Sequence, residues 1–177
     1  DALEFVAVHG HEFDVIHASP PCQAYTAMRA INLASFGRVS EHTDLIAPTR
    51  QALQATGRPY VIENVRGAPL HTQVILCGSM FGLPRLSRHR HFECSILLPA
   101  PPRCTCRQND LNIGVYGALP DGRRVSYRHH RLSRLAASLQ EAQAAMGIDW
   151  MEWSEIKESI PPAYTRWIGE RLVEALQ

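Results

Sequence analysis

The chain has 177 residues, 45% of them hydrophobic and 20% charged, with a net charge of +1. That length suits one domain with a real core. It contains no apolar run of about eighteen residues and no charged-then-apolar leader, so neither a membrane span nor a secretory signal is expected. Its five cysteines lack the spacing of a disulfide framework, and a reducing, cytoplasmic compartment is the simpler expectation.

In chain order, Ala2 to His9 reads as a short helix and Phe13 to Ala18 as a strand. Asp44 to Thr56 reads as a helix ended by Gly57, and Pro59 opens a strand through Ile62. Val74 to Cys77 gives another strand before a turn at Gly78-Ser79, and Arg88 to Phe92 a further short one. Side chains two apart on a strand share a side, which would put Arg88 and Arg90 on one face. Pro99 to Arg124 is rich in Pro, Gly and Arg, predicting loops with a hairpin around Val115-Tyr116. Leu132 to Met146 reads as an amphipathic helix, and Pro161 to Leu176 as a second, with proline at its start.

Three stretches carry chemistry. Ser19-Pro20-Pro21-Cys22-Gln23 follows the first strand, where open α/β sheets keep their reactive groups. Glu63-Asn64-Val65 closes the second, so a carboxylate could stand at the same edge of a parallel sheet. Arg88-His89-Arg90-His91-Phe92 supplies paired arginines. A lone cysteine is more often a small buried hydrophobe, but this one comes with an acid and two guanidinium groups in order. The flanking His89 and His91 alternate with the arginines and are expected to serve packing, as are Trp150, Trp153 and Trp167.

Charge is uneven. Between Arg85 and Arg134 there are ten arginines against three acids, about +7 on fifty residues, and such a concentration favours a polyanion. The plainer reading is an arginine-rich surface, since the chain has seventeen arginines and one lysine. Cys104-Thr105-Cys106, with Cys94 and His129-His130, could hold zinc. Cys-x-Cys is not the usual Cys-x-x-Cys spacing, however, and no metal is expected.

Taken in order, Pro-Pro-Cys-Gln, Glu-Asn-Val and Arg-x-Arg-x-Phe resemble the central motifs of the DNA (cytosine-5) methyltransferases. Ala24-Tyr25-Thr26 is similar to the family's loop that closes over DNA. Gln140 to Trp150, with Met146-Gly147-Ile148 at its turn, is similar to the late helix and Gln-Gly-Phe-Pro turn. Ser159-Ile160-Pro161-Pro162 is similar to the closing Asn-Ser-Val-Pro motif. Two departures are local: Lys157-Glu158 stand where Gly-Asn is usual, and Leu86 where a glutamine precedes the arginines.

The resemblance implies an α/β, Rossmann-like methyltransferase sheet with a small irregular target-recognition region. The parts would be a catalytic core at 1–92, a recognition region at 93–131 of about forty residues, reading a short site, and helices at 132–177 returning to the core. The family's Phe-x-Gly-x-Gly loop for S-adenosylmethionine is not found, so an N-terminal truncation of roughly fifty residues is expected, about one and a half βαβ units. A separate chain supplying that loop is the other expectation.

The implied reaction is transfer of a methyl group from S-adenosylmethionine to carbon 5 of cytosine in double-stranded DNA. Cys22 would be the nucleophile toward carbon 6, its thiolate favoured by nearby positive charge. Glu63 would hold the ring and donate a proton, which requires a raised pKa. Arg90 would bond the base carbonyl and Arg88 would brace the loop or a phosphate. The target must be flipped out of the duplex first. Asp1, Pro20, Ser159 and Ile160 would line the cofactor site, and Gln23, Thr26, Asn64, Arg123, Arg124 and Arg128 would meet DNA.

Such an enzyme would work in a prokaryotic or viral host cell, in the manner of restriction-modification. Two alternatives stand beside it. One is a DNA-binding remnant or partner subunit without activity of its own. The other is an unrelated cysteine hydrolase pairing Cys22 with His17 or His42.

Overall fold

A computed structural model describes residues 1–25, 42–108, 111–128 and 131–177. The protein is mixed α/β and divides into two compact units, each described by itself. The first comprises residues 1–75, 90–99 and 175–177, and the second residues 76–89 and 100–174. This division by compactness cuts across the functional one expected at 92 and 131.

The first unit opens with α1 (Ala2–His9), whose N-terminus is capped by the Asp1 carboxylate accepting from the Leu3 amide at 2.8 Å. Gly10 follows because a Cβ there would stand 2.4 Å from Thr56 Cγ2, in the turn after α2 (Ile46–Ala55). The first strand, β1 (Ile16–Ala18), is shorter than expected. A 3-10 turn covers Gly10–Glu12, Phe13 after it is 45% exposed, and only the last three residues of the expected strand pair.

That partner is β2 (Tyr60–Asn64), parallel to β1 with Ile16 opposite Tyr60 and Ala18 opposite Ile62. All five β2 residues are buried, which explains their apolar run up to the two polar residues that close it. Ile46 and Leu53 of α2 pack with Tyr60 and Ile62, and Val6 and Ile16 cover the edge of that cluster. The sheet continues in the order β1-β2-β4-β3, with β3 at Val74–Leu76 and β4 at Arg90–Cys94. β4 runs antiparallel to β2, with Glu63 opposite Phe92 and Asn64 opposite His91, so the sheet is mixed. It begins at Arg90, two residues later than expected, and strand alternation therefore does not tie Arg88 to Arg90.

The second unit holds a three-stranded sheet ordered β5-β7-β6, from β5 (Leu111–Gly114), β6 (Arg124–Arg128) and β7 (Arg131–Leu135). The helix expected from Leu132 to Met146 is in fact two elements. Its first part is β7, which pairs parallel with β5 and antiparallel with β6. Only the rest is helix, as α3 (Leu139–Met146). Ser138 stops the strand and starts the helix, its side chain accepting from the Glu141 amide at 3.1 Å. The expected hairpin at Val115-Tyr116 is also absent, because β5 takes β7 as its partner.

Gly147 ends α3 in the left-handed conformation, φ 68°, and places Met146 and Ile148 in the core with Leu86, Val115 and Trp153. Then come α4 (Trp153–Ile156), with a Glu152/Glu155 capping box, and α5 (Pro162–Ala175). Trp153 and Trp167 are buried as expected, but Trp150 is 66% exposed. Among the described residues, no helix is long and apolar enough to cross a membrane.

Candidate active site

In the first unit, the chain leaves β1 at Ala18 and β2 ends at Asn64, so the Pro20–Cys22 loop and Glu63-Asn64 lie at the carboxyl edge of the same parallel pair. A buried amide fastens one to the other: Asn64 Nδ2 donates to the Pro20 carbonyl at 2.8 Å, and Asn64 is 1% exposed. Its Oδ1 accepts from the Val65 amide at 2.9 Å, which fixes the amide's orientation. Cys22 follows in a turn closed by the Tyr25 amide donating to the Cys22 carbonyl at 2.9 Å. Cys22 is half-buried and Gln23 exposed, so the loop presents both toward solvent.

Tyr25 anchors the far side of this turn by donating its phenol to Asp44, whose carboxylate also accepts from the Ile46 amide at the start of α2. Burial and the Asp44 carboxylate push the Tyr25 phenol up to about 12. The phenol and the amide hold the Asp44 carboxyl below its ordinary value.

Glu63 is buried at the end of β2, and Arg90 opens the neighbouring strand β4. Arg90 Nε stands 2.9 Å from Glu63 Oε1, with side chains 16% and 7% exposed. A second buried carboxylate, Glu93, lies on the same strand but has a structural partner: Arg50 of α2 grips it from two nitrogens at 2.6 and 2.7 Å. The His71 amide adds a bond at 2.8 Å. Burial raises the Glu93 carboxyl, yet these donors outweigh it and hold it below its ordinary value. Glu93 therefore ties α2 to the sheet, while Glu63 is the carboxylate at the edge that carries the Pro20–Cys22 loop.

A cleft of about 400 Å³ opens beside this edge, lined by Asp1, Val6, Ala18, Pro20, Leu45 and Leu53 among others. Two residues expected at the cofactor, Asp1 and Pro20, thus share one cavity, of a size and apolar character suited to a small organic ligand. A larger cleft of about 640 Å³, by Arg58, Pro59 and Tyr60, is at the opposite end of β2 and carries none of the expected site residues. We give it no part in the chemistry.

The remaining expected residues belong to the second unit. Arg88 directs its guanidinium to backbone carbonyls, those of Val115 at 3.0 Å, Lys157 at 2.8 Å and Ser159 at 3.1 Å. It braces the chain entering α5, and Tyr164 of that helix returns a bond to the Arg88 carbonyl at 2.7 Å. Ser159 donates its hydroxyl to the Ile156 carbonyl at 2.8 Å, and Ile160 is half-buried beside it. Arg123 is exposed near Asp121 at 3.8 Å. Arg124 and Arg128 belong to β6. Thr26, His129 and His130 lie outside the described residues.

Of the histidines weighed for a hydrolase, His17 is in β1 opposite Val61, and His42 is exposed ahead of Asp44. Sequence reasoning missed the Arg50–Glu93 pair, for which the only signal was an acid following the Arg-x-Arg-x-Phe string. It also missed Cys77 and His89, which join Cys104 and Cys106 in one cluster. No family model, no curated protein and no solved structure matches this chain.

Proposed function

We propose that the chain is the catalytic part of a DNA (cytosine-5) methyltransferase with a Rossmann-like sheet. The observation that carries this reading is the convergence, in one unit, of a half-buried thiol on a loop fastened by Asn64 and a buried Glu63–Arg90 pair at the same sheet edge. A thiol on the loop at the sheet edge that also carries a carboxyl and a guanidinium supplies the groups that addition to a pyrimidine ring demands.

In this mechanism the flipped cytosine enters over the Pro20–Cys22 loop. The Cys22 thiolate bonds to carbon 6 as the carbon 5–carbon 6 π electrons shift to join carbon 4 to carbon 5, and nitrogen 3 takes a proton from Glu63 in its protonated form, which leaves carbon 5 nucleophilic. Arg90, 2.9 Å from Glu63, balances the carboxylate formed when the proton leaves and would also donate to the base carbonyl. S-adenosylmethionine would supply the methyl group to carbon 5 and leave as S-adenosylhomocysteine, and the cleft lined by Asp1 and Pro20 is the candidate for its adenosyl end. Nitrogen 3 then returns its proton to Glu63, a solvent base takes the carbon 5 proton, and the electrons of that bond re-form the carbon 5–carbon 6 double bond as the carbon 6–sulfur bond breaks and Cys22 leaves as a thiolate. Arg88 acts as the brace of the α5 entry.

Duplex DNA bearing 5-fluorocytosine tests this, because fluorine blocks the final elimination. With S-adenosylmethionine present, the wild-type chain is expected to form a denaturant-resistant adduct, and Cys22→Ser none. An adduct formed equally by Cys22→Ser would overturn the assignment of the nucleophile. No adduct with the wild type, despite DNA binding, would reduce the chain to a binding remnant or a subunit needing a partner.

A further inference from the structure

We propose that Cys77, His89, Cys104 and Cys106 form a structural zinc site within the second unit. Their four ligand atoms all lie within 4.8 Å of one another. His89 Nε2 is 3.6 Å from Cys104 Sγ and 3.8 Å from Cys106 Sγ, and the latter two sulfurs are 3.3 Å apart. A tetrahedral zinc with bonds of about 2.3 Å to sulfur and about 2.0 Å to nitrogen spaces its ligands by roughly 3.4–3.8 Å. The cluster therefore needs only small side-chain adjustments to enclose the ion. All five cysteines of the chain are thiols, with none in a disulfide.

The donor set selects the metal. Three thiolates and one imidazole, with no carboxylate, suit zinc rather than magnesium, calcium or manganese. A closed four-ligand shell is the structural kind, with no position left for a reacting water. Binding would displace three thiol protons to solvent and leave the His89 ring proton on Nδ1, so the site carries a net charge of −1.

The surroundings are built to hold the sulfurs. Ser79 Oγ stands 3.6 Å from Cys77 Sγ and 3.5 Å from Cys104 Sγ, and accepts from the Thr105 amide at 3.0 Å. One hydroxyl thus links both ligand loops, a placement that orients metal ligands in known sites. Gly78 is required beside Cys77, since a Cβ there would meet the Leu86 carbonyl at 2.6 Å. Cys77 and Cys106 are buried while Cys104 and His89 face outward, which leaves a route for the ion to enter. Zinc here would join the 3-10 turn at Gly78–Met80, the residue after Arg88 and the 3-10 turn at Cys106–Gln108, in a part of the unit with little regular structure of its own.

The inference does not rest on the methyltransferase reading, and its test is separate. The full chain, purified under reducing conditions, is loaded with cobalt(II) or zinc and freed of excess metal. We expect about one metal per chain by elemental analysis. The cobalt form should show the intense visible bands of a tetrahedral ion and near-ultraviolet thiolate charge transfer. Cys104→Ser and Cys77→Ser should each weaken zinc affinity at least about a hundredfold, while Cys22→Ser leaves stoichiometry unchanged. Weak octahedral cobalt bands, or substoichiometric metal on the wild-type chain, would overturn the site. So would a Cys104–Cys106 disulfide persisting in reductant. These wild-type readouts decide the matter even where a variant fails to fold.

Discussion

Glu63 and Glu93 sit on neighbouring strands, both buried and both facing an arginine, yet their surroundings assign them different work. Glu93 accepts from two Arg50 nitrogens and a backbone amide, which saturates a carboxylate as an ionised structural anchor. Glu63 stands at the end of its strand, one residue before the Asn64 amide that holds the Cys22 loop. On the proposed reading, Glu63→Gln is expected to slow methyl transfer by about a hundredfold or more, and also to lower thermal stability, because the amide keeps the shape of the carboxyl group but removes the counter-charge of Arg90. Single-turnover methylation checks this, and a rate near wild type removes Glu63 from the acid role. The sequence made Glu63 legible because an acid interrupts an apolar strand. It left Glu93 obscure, because its partner Arg50 lies on a helix forty-three residues away.

At the scale of elements, the join between β7 and α3 shows where local pattern misleads. Apolar residues at Leu132, Leu135, Ala136, Leu139, Ala142 and Met146 fit a helical stripe, yet the first four residues of the segment belong to the middle strand of a sheet. Pairing with strands on both sides outweighed helix propensity, a non-local gain that no window on the sequence contains. The signal that could have divided it is Ser138, followed three residues later by Glu141.

Glu141 reinforces the division by accepting from both terminal nitrogens of Arg134 at 2.6 Å and from the Ala137 amide at 2.7 Å. The Arg134 bonds, against some burial, and the Ala137 amide bring its carboxyl down to about 2 from an ordinary 4.5. A carboxyl depressed on folding stabilises above its unfolded pKa, and that contribution disappears as pH falls through the folded value. Glu141→Gln should thus lose about 2 kcal/mol at neutral pH, a figure reduced for solvent screening of the partly exposed pair. The gap from wild type should close between about pH 5 and pH 2. Urea unfolding across that range checks it, and a gap independent of pH would show that the pair is not the source.

At the scale of the whole molecule, charge and connectivity matter most. The arginine-rich interval predicted to meet DNA includes exposed Arg123 and the strand carrying Arg124 and Arg128. Replacing these three by serine should weaken duplex binding and reduce the slope of log affinity against log salt by up to about three. An unchanged slope would place the polyanion surface elsewhere. The helices at either end and the two strands that carry the candidate site could be read locally. The division into units could not, because it depends on which segments return to which sheet.

That return has a consequence for synthesis. β4 lies between β2 and β3, but it belongs to residues 90–99, and residues 76–89 ahead of it belong to the other unit. As the chain leaves the ribosome, the N-terminal unit must wait with its sheet open until a segment of its neighbour has emerged. The later helices close the second unit before the last three residues come back to the first. Neither unit can be separated whole by a single cut in the chain, because each is assembled from more than one segment.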